Sequence, residues 1–319
     1  MTTACRHGNY LVEDVSFESS RLRLAGLLHV PEHTSAPLPA VVILGPFASV
    51  KEHSPAQYAT RLSDEGYVAL AFDAAYCGES AGEPRGLNEP LRRAADVRAA
   101  IDWILARPEV DPTRLAVIGL GDGASEVIAV ACEDDRVRAL ATVSGVYRDP
   151  ASDRQLVGDC PETAPSGSGH SAEHRLEARA TRARLASARY DELGEVDYLP
   201  IVDPVRTDVA LPGVEPWRWY MSQSGRGLWE NRYAVMGDLA YLEFESLSAA
   251  RALRVPLAML HGGRTPDGNS ARRHFDAVTG THKELFFEPN ASRYQYYDDP
   301  STIDRAVRNL ASWFGAHLA

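Results

Sequence analysis

Short apolar runs alternating with helical periodicity are the feature that most restricts how this chain can fold. Residues 40–44 (AVVIL) form a continuous apolar stretch, the mark of a strand buried on both faces. Residues 67–72, 114–120 and 138–144 repeat that signal. Between them lie segments with helical spacing: 54–65, stopped by Gly66; then Leu91, Ala94, Val97, Ile101 and Ile104, closed by Pro108; then 124–132. Two strands precede the series, at 11–17 and 21–30. After a long interruption the pattern resumes with a strand at 255–261, a helix at 270–278, a strand at 284–288 and a helix at 302–317. Such alternation demands a mainly parallel sheet covered on both faces by right-handed crossovers. The expected fold class is α/β.

At 319 residues the chain is long enough for one large α/β domain plus an insertion. Acidic residues outnumber basic ones, 44 to 33, for a net charge of −11, with no basic run or stripe. Nucleic acid is therefore not an expected partner. No stretch approaches the roughly 18 apolar residues of a membrane span, and no apolar segment follows the polar first ten residues. The four cysteines (Cys5, Cys77, Cys132, Cys160) are scattered with no CxxC pair, which fits reduced thiols and a cytoplasmic setting. No His, Cys, Asp or Glu cluster has metal-ligand spacing, so neither metal nor cofactor is expected.

The alternation breaks after residue 149. Residues 150–194 are rich in Ser, Ala, Arg and Glu, with a helical stretch at 172–189; residues 199–216 hold four prolines. Aromatics then crowd together as Trp217, Trp219, Tyr220, Trp229 and Tyr233. A helix is expected over 239–252. These features divide the chain into a core of 1–149 and 237–319 and an insertion of 150–236, which reads as a lid over the active edge of the sheet. The aromatics suit either a wall for a flat substrate or the lid's own packing.

The stretch Val117-Ile-Gly-Leu-Gly-Asp-Gly-Ala124 sits where a strand passes into a helix. A nucleophile elbow has the form G-x-Nuc-x-G in that setting, because small flanking residues let the central side chain project over the sheet edge. Gly119 and Gly123 supply the flanks, and the central position is Gly121. A phosphate-binding turn of a dinucleotide fold is the competing reading. It fits less well, because the turn follows the fifth strand of the pattern and position 124 is Ala rather than Gly.

The chain resembles the dienelactone-hydrolase-like branch of the α/β-hydrolase superfamily. The resemblance rests on Gly45-Pro-Phe-Ala-Ser-Val-Lys-Glu-His53, Phe72-Asp-Ala-Ala-Tyr-Cys-Gly-Glu-Ser-Ala-Gly-Glu-Pro-Arg85, Asp111-Pro-Thr-Arg114 and the glycine-rich turn. It implies an α/β-hydrolase fold with an eight-stranded sheet, a Ser or Cys nucleophile, an acid after a late strand and a histidine before the last helix. In this sequence the nucleophile position falls on Gly121 and the histidine position on Arg293, within Asn290-Ala-Ser-Arg293. The acid loop matches His261-Gly-Gly-Arg-Thr-Pro-Asp267, with Asp267 displaced by one or two residues. Arginine stays protonated at neutral pH and cannot serve as a general base, so a Gly/Arg/Asp set cannot run acyl-enzyme chemistry.

What survives such losses is backbone. The resemblance implies an oxyanion hole from the N–H groups of Asp122 and Phe47, beside the N-terminus of the helix that begins near Asp122. Arg293 would add an anion contact, or else hold Asp267 in a loop-to-loop salt bridge. Tyr76 is a candidate proton donor or a packing residue. Asp122 is a candidate acid/base group. His261, at a strand end near the acid loop, is a substrate contact or a structural histidine. Lys51 and Glu52 are expected in a supporting role.

Three functions compete. One is a non-hydrolytic enzyme acting on a small carbonyl or carboxylate compound by proton transfer, elimination or cyclisation. The second is a hydrolase with a substitute nucleophile (Asp122, Ser49 or Cys77). The third is an inert protein that binds a ligand or partner. A small-molecule substrate is the expected partner, membranes are not, and a homodimer is left open.

Overall fold

The computed structural model describes residues 4–7, 9–32, 37–158, 172–265 and 268–319. Its main sheet has nine strands among those residues: β1 (Ala4–His7), β2 (Tyr10–Ser19), β3 (Leu22–Pro31), β4 (Leu38–Leu44), β5 (Val68–Phe72), β6 (Val110–Leu120), β7 (Val137–Val143), β8 (Leu257–Arg264) and β9 (Lys283–Ser292). They lie in the order β1-β2-β3-β5-β4-β6-β7-β8-β9. From β5 across to β9 every pair is parallel, while β1, β2 and β3 form an antiparallel margin on β5. All eight expected strands are present. The ninth, β1, pairs with β2 at the edge, where backbone bonds need no apolar run to announce them. β6 also starts earlier than expected, at Val110, which pairs with Leu38.

The AVVIL run shows why the sheet is buried on both sides. Val41 and Ile43 join one core with Tyr58, Leu62, Val307 and Phe314, from helices α1 (Ser54–Asp64) and, at the chain's end, Pro300–His317. Ala40, Val42 and Leu44 join the other, with Val97, Ile101, Val127 and Ile128 from α2 (Pro90–Leu105) and α3 (Gly123–Glu133). A strand whose alternate residues enter two different cores must be apolar throughout.

Residues 150–236 lie between β7 and β8. They hold α4 (Pro150–Gly158), α5 (Ala172–Leu193) and α6 (Val214–Gln223), with two short strand pairs, Tyr198–Leu199 on Tyr233–Ala234 and Val202–Asp203 on Leu211–Pro212. The single helix expected at 239–252 is two, α7 (Gly237–Glu243) and α8 (Leu247–Ala252), because Phe244 is extended between them. Three helices complete the chain: α9 (Gly268–Ala277), α10 (Gln295–Asp298) and α11 (Pro300–His317). α11 starts on Pro300, with the Asp299 carboxylate accepting from the Thr302 N–H at 2.8 Å.

Candidate active site

The turn from β6 into α3 lies at the carboxyl end of the sheet, where open α/β sheets bind their ligands. Its backbone is pinned: the Gly121 N–H donates to the Val143 carbonyl at 3.1 Å, and the Gly121 carbonyl accepts from Val146 at 2.8 Å. Gly121 has φ +56, a left-handed conformation that costs a side-chain-bearing residue about 1–2 kcal/mol. The flanking glycines are close-packed. A Cβ on Gly123 would lie 2.8 Å from the Leu44 carbonyl oxygen, and one on Gly119 would run into the backbone of Gly123.

The volume into which a side chain at 121 would project is already taken. A Cβ there would lie 3.2 Å from Pro46 Cβ and 3.3 Å from Tyr297 Cζ, and closer still to the Tyr297 hydroxyl, inside the 3.0 Å that real Cβ contacts do not cross. Tyr297 comes from α10, directly after β9. Trp219 of α6 packs on it at 5.2 Å between ring centroids, and on Tyr220 at 4.6 Å and Tyr294 at 5.8 Å. Tyr220 stacks on Trp229 at 5.6 Å. The Tyr220 hydroxyl donates to the Phe47 carbonyl, and the Trp229 Nε1–H to the Ala48 carbonyl at 3.0 Å. Tyr220 and Trp229 thus clasp the loop after β4. His53 is enclosed by Trp219 and Trp229, and burial drives its pKa down to about 4.

Beneath the turn lies a buried ionic layer. The Asp122 carboxylate accepts from the Tyr241 hydroxyl, and Tyr241 in turn lies edge-on to Phe47 and carries Arg148 over its face at 4.0 Å. One turn along α3, burial lifts the Glu126 carboxyl to about pH 7 against the opposing pull of Arg93. Arg93 donates to Glu126 at 3.0 Å and to the Gly45 carbonyl at 2.7 Å, tying α3 to the loop after β4. Burial raises the pKa of Tyr220, Tyr241, Tyr294 and Tyr297, so all four phenols stay protonated at neutral pH and can donate but not abstract.

The structure brings Gly121, Asp122, Phe47, Trp219, Tyr220, Trp229 and Tyr233 into one neighbourhood; Tyr233 lies edge-on to Phe47 at 6.1 Å. Trp217 stands apart on the outer side of α6, 36% exposed, because the buried face of that helix is Trp219, Tyr220 and Gln223. Arg293 follows β9, close enough to His261 to act with burial in lowering the His261 pKa to about 4. His261 is held by Thr265 at 2.8 Å. Asp267 and Cys160 lie outside the described residues.

Tyr76 and Cys77 line a cavity of about 430 Å³ with Ala48, Val50, Arg85, Ile201 and Trp229. Gly121, Asp122, His261 and Arg293 are not among its walls. Burial pushes the Cys77 thiol up to about 11, and the Ser49 hydroxyl donates to the Pro46 carbonyl at 3.2 Å. Lys51 is buried in a cage of Asp73, Glu52 and Glu79. Burial works to lower its pKa, but the three carboxylates outweigh it and hold the lysine charged.

The sequence reading missed Tyr297, Tyr241 and Glu126. Nothing in local spacing links Tyr297 or Tyr241 to residue 121; Glu126 left one visible signal, a carboxylate in the first turn of an otherwise apolar helix. It also missed a Ser246–His274 pair, Oγ to Nε2 3.0 Å, with Asp149 3.8 Å from His274 Nδ1. The arrangement has the order of a nucleophile, base and acid, but Nδ1 donates to the Ser270 carbonyl at 2.9 Å, and Ser246 is sealed at 0% exposure. Its evident work is to join α3, α8 and α9.

The chain is similar in sequence to proteins of other organisms, and in fold to a solved structure. The chain is 36% identical to the YcjY protein of Escherichia coli over 283 residues, 86% of this chain and 87% of that one. It is 31% identical over 309 residues to PA2218 of Pseudomonas aeruginosa, covering 93% and 78%. The PA2218 crystal structure superposes with a TM-score of 0.78 at 26% identity, over 98% of this chain and 95% of the other. A thiohydrolase of Aspergillus aculeatus, aneE, is 31% identical over 87% of this chain and 82% of its own. The family model described as X-Pro dipeptidyl-peptidase (S15 family) matches residues 21–290. With its sheet order and that match, the chain belongs to the S15 family of α/β-hydrolase-fold proteins.

Proposed function

We propose that the protein is an α/β-hydrolase-fold enzyme that acts on a small carbonyl or carboxylate compound without forming an acyl-enzyme. One observation carries the reading: the elbow position is Gly121, and the Tyr297 hydroxyl occupies the space its side chain would need. In this reading the N–H groups of Asp122 and Phe47 polarise a carbonyl, and Arg293 favours an anionic group. Tyr297, kept protonated by burial, donates the proton that a transfer, elimination or cyclisation requires. Residues 150–236 serve as the lid, through the grip of Tyr220 and Trp229 on the loop after β4. The thiohydrolase relative supports acyl or carbonyl chemistry as the class.

Substitute nucleophiles fare worse. The Cys77 thiol is far from ionising at neutral pH, Ser49 donates to a carbonyl rather than to a base, and Asp122 is engaged by Tyr241. A second reading, ligand binding without catalysis, is favoured by the 430 Å³ cavity, whose walls include neither Gly121 nor Asp122. The deciding experiment is intact-protein mass after fluorophosphonate treatment, run with turnover of an aryl-ester panel. No adduct and no turnover are expected. A single adduct at Asp122, Ser49 or Cys77 with matching turnover would overturn the proposal.

A further inference from the structure

The cavity lined by Trp229 also holds a guanidinium that no carboxylate answers. Arg85 stands in its wall, fixed by backbone carbonyls: Nη1 donates to those of Ser80 at 2.6 Å and Gly82 at 3.3 Å, and Nη2 to that of Gly78 at 2.5 Å. These bonds leave the Nε–H and one Nη2–H, donors on adjoining nitrogens of the kind a carboxylate accepts side by side. Among the described residues no carboxylate pairs with this guanidinium; Glu83 accepts from the Arg85 backbone N–H instead, at 3.0 Å. The other charged side chains of the wall, Glu230 and Arg232, pair with each other at 2.6 Å. The carboxylates around Lys51 are not part of the wall: Asp73 stands behind Gly78 and Glu52 behind Gly227, both bound to the lysine. One unbalanced positive charge therefore faces the cavity.

Much of the remaining lining is apolar. Val50 and Ile201 are buried, and Leu228 is 63% exposed. Trp229 is held by its Nε1–H bond to the Ala48 carbonyl and by stacking on Tyr220. A volume of about 430 Å³ lies within the range of small-molecule sites, which combine apolar walls with a few fixed polar groups. We propose that this cavity binds a small organic carboxylate with a flat apolar body, the carboxylate on Arg85 and the body against Trp229, Ile201 and Val50. A single uncompensated cation suits a monoanion, and Arg85 is fixed before the ligand arrives, so little side-chain freedom is lost on binding. Neither Gly121 nor Asp122 belongs to the wall, so the ligand class holds for either reading of the turn.

The test is calorimetric titration of the full chain at neutral pH with naphthoate and, separately, with its uncharged analogue naphthalenemethanol. One naphthoate per chain is expected, bound about tenfold or more tightly than the alcohol. Leu228 is exposed enough for substitution without unfolding. Leu228→Glu should weaken naphthoate binding and Leu228→Lys tighten it, each by roughly twofold to fivefold, while the alcohol is indifferent to both. Arg85→Gln should bring naphthoate down to the affinity of the alcohol. The proposal is overturned if the wild-type chain shows no saturable naphthoate binding, if the alcohol binds as tightly, or if the two Leu228 variants bind naphthoate equally. Those three results decide the matter even if Arg85→Gln, which also loses its hold on the carbonyls of residues 78–82, fails to fold. The readout is binding, so an acyl-enzyme found at the turn would overturn the proposed chemistry and leave this result standing.

Discussion

Placing a methyl group on Gly121 isolates the claim that its side-chain volume is already filled. Gly121→Ala must hold φ +56, at about 1–2 kcal/mol for a residue with a Cβ. The new carbon also meets the Tyr297 hydroxyl inside 3.0 Å, with Pro46 Cβ at 3.2 Å and Tyr297 Cζ at 3.3 Å. Overpacking of this kind costs about 1–3 kcal/mol in a well-packed core. The sum is a loss of roughly 2–5 kcal/mol. Tyr297→Phe removes the oxygen and leaves the ring, so in the Tyr297→Phe background the penalty of Gly121→Ala should shrink to roughly the backbone part. A double-mutant cycle by urea unfolding should therefore show a coupling of about 1–3 kcal/mol, of the sign that relieves a clash. If Gly121→Ala changes stability by less than about 0.5 kcal/mol, or if Tyr297→Phe leaves its penalty untouched, the hydroxyl does not fill that space and the reasoning fails.

Three other predictions test the ionic and aromatic frame. Glu126 has a folded pKa of about 7 against 4.5 unfolded, so the folded state holds its proton more tightly and stability falls as pH rises between those values; urea midpoints from pH 5 to 8 should slope less in Glu126→Gln, and equal slopes would refute this. The His261 and His53 pKa values of about 4 sit below the ordinary 6.5, so their contribution is complete above pH 6.5 and fades as pH falls toward 4; imidazole resonances that titrate near 6.5 in the folded chain would contradict it. Tyr241→Phe keeps the ring against Phe47 and Arg148 but strips the hydroxyl from the buried Asp122, which should cost about 1–3 kcal/mol in a denaturation experiment. A loss below about 0.5 kcal/mol would show that water or another donor replaces it.

Strand and helix order was legible because burial on both faces leaves a continuous record: Val41 and Ile43 answer to one core, Ala40, Val42 and Leu44 to the other, and none can be polar. The Gly119-x-Gly121-x-Gly123 turn was legible as a glycine pattern between a strand and a helix, although the close approaches at Gly121 and Gly123 come from Tyr297 and Leu44, far away in the chain. Edge strand β1 left no such record, because hydrogen bonds between backbones are indifferent to side chains. The break at Phe244 was hidden as well, since apolar spacing continued through it while the backbone did not.

The absence of any side chain at position 121 was therefore written in the sequence alone, together with the fold around it. What occupies the resulting space was not. Tyr297 and Tyr241 reach the turn only after the chain has crossed the sheet and returned, and Glu126, although it sits in the first turn of α3, meets Arg93 only when α2 packs on α3. Periodicity reports which face of an element is buried. Which group meets which across a core is decided by packing, and that information exists only once the chain is folded.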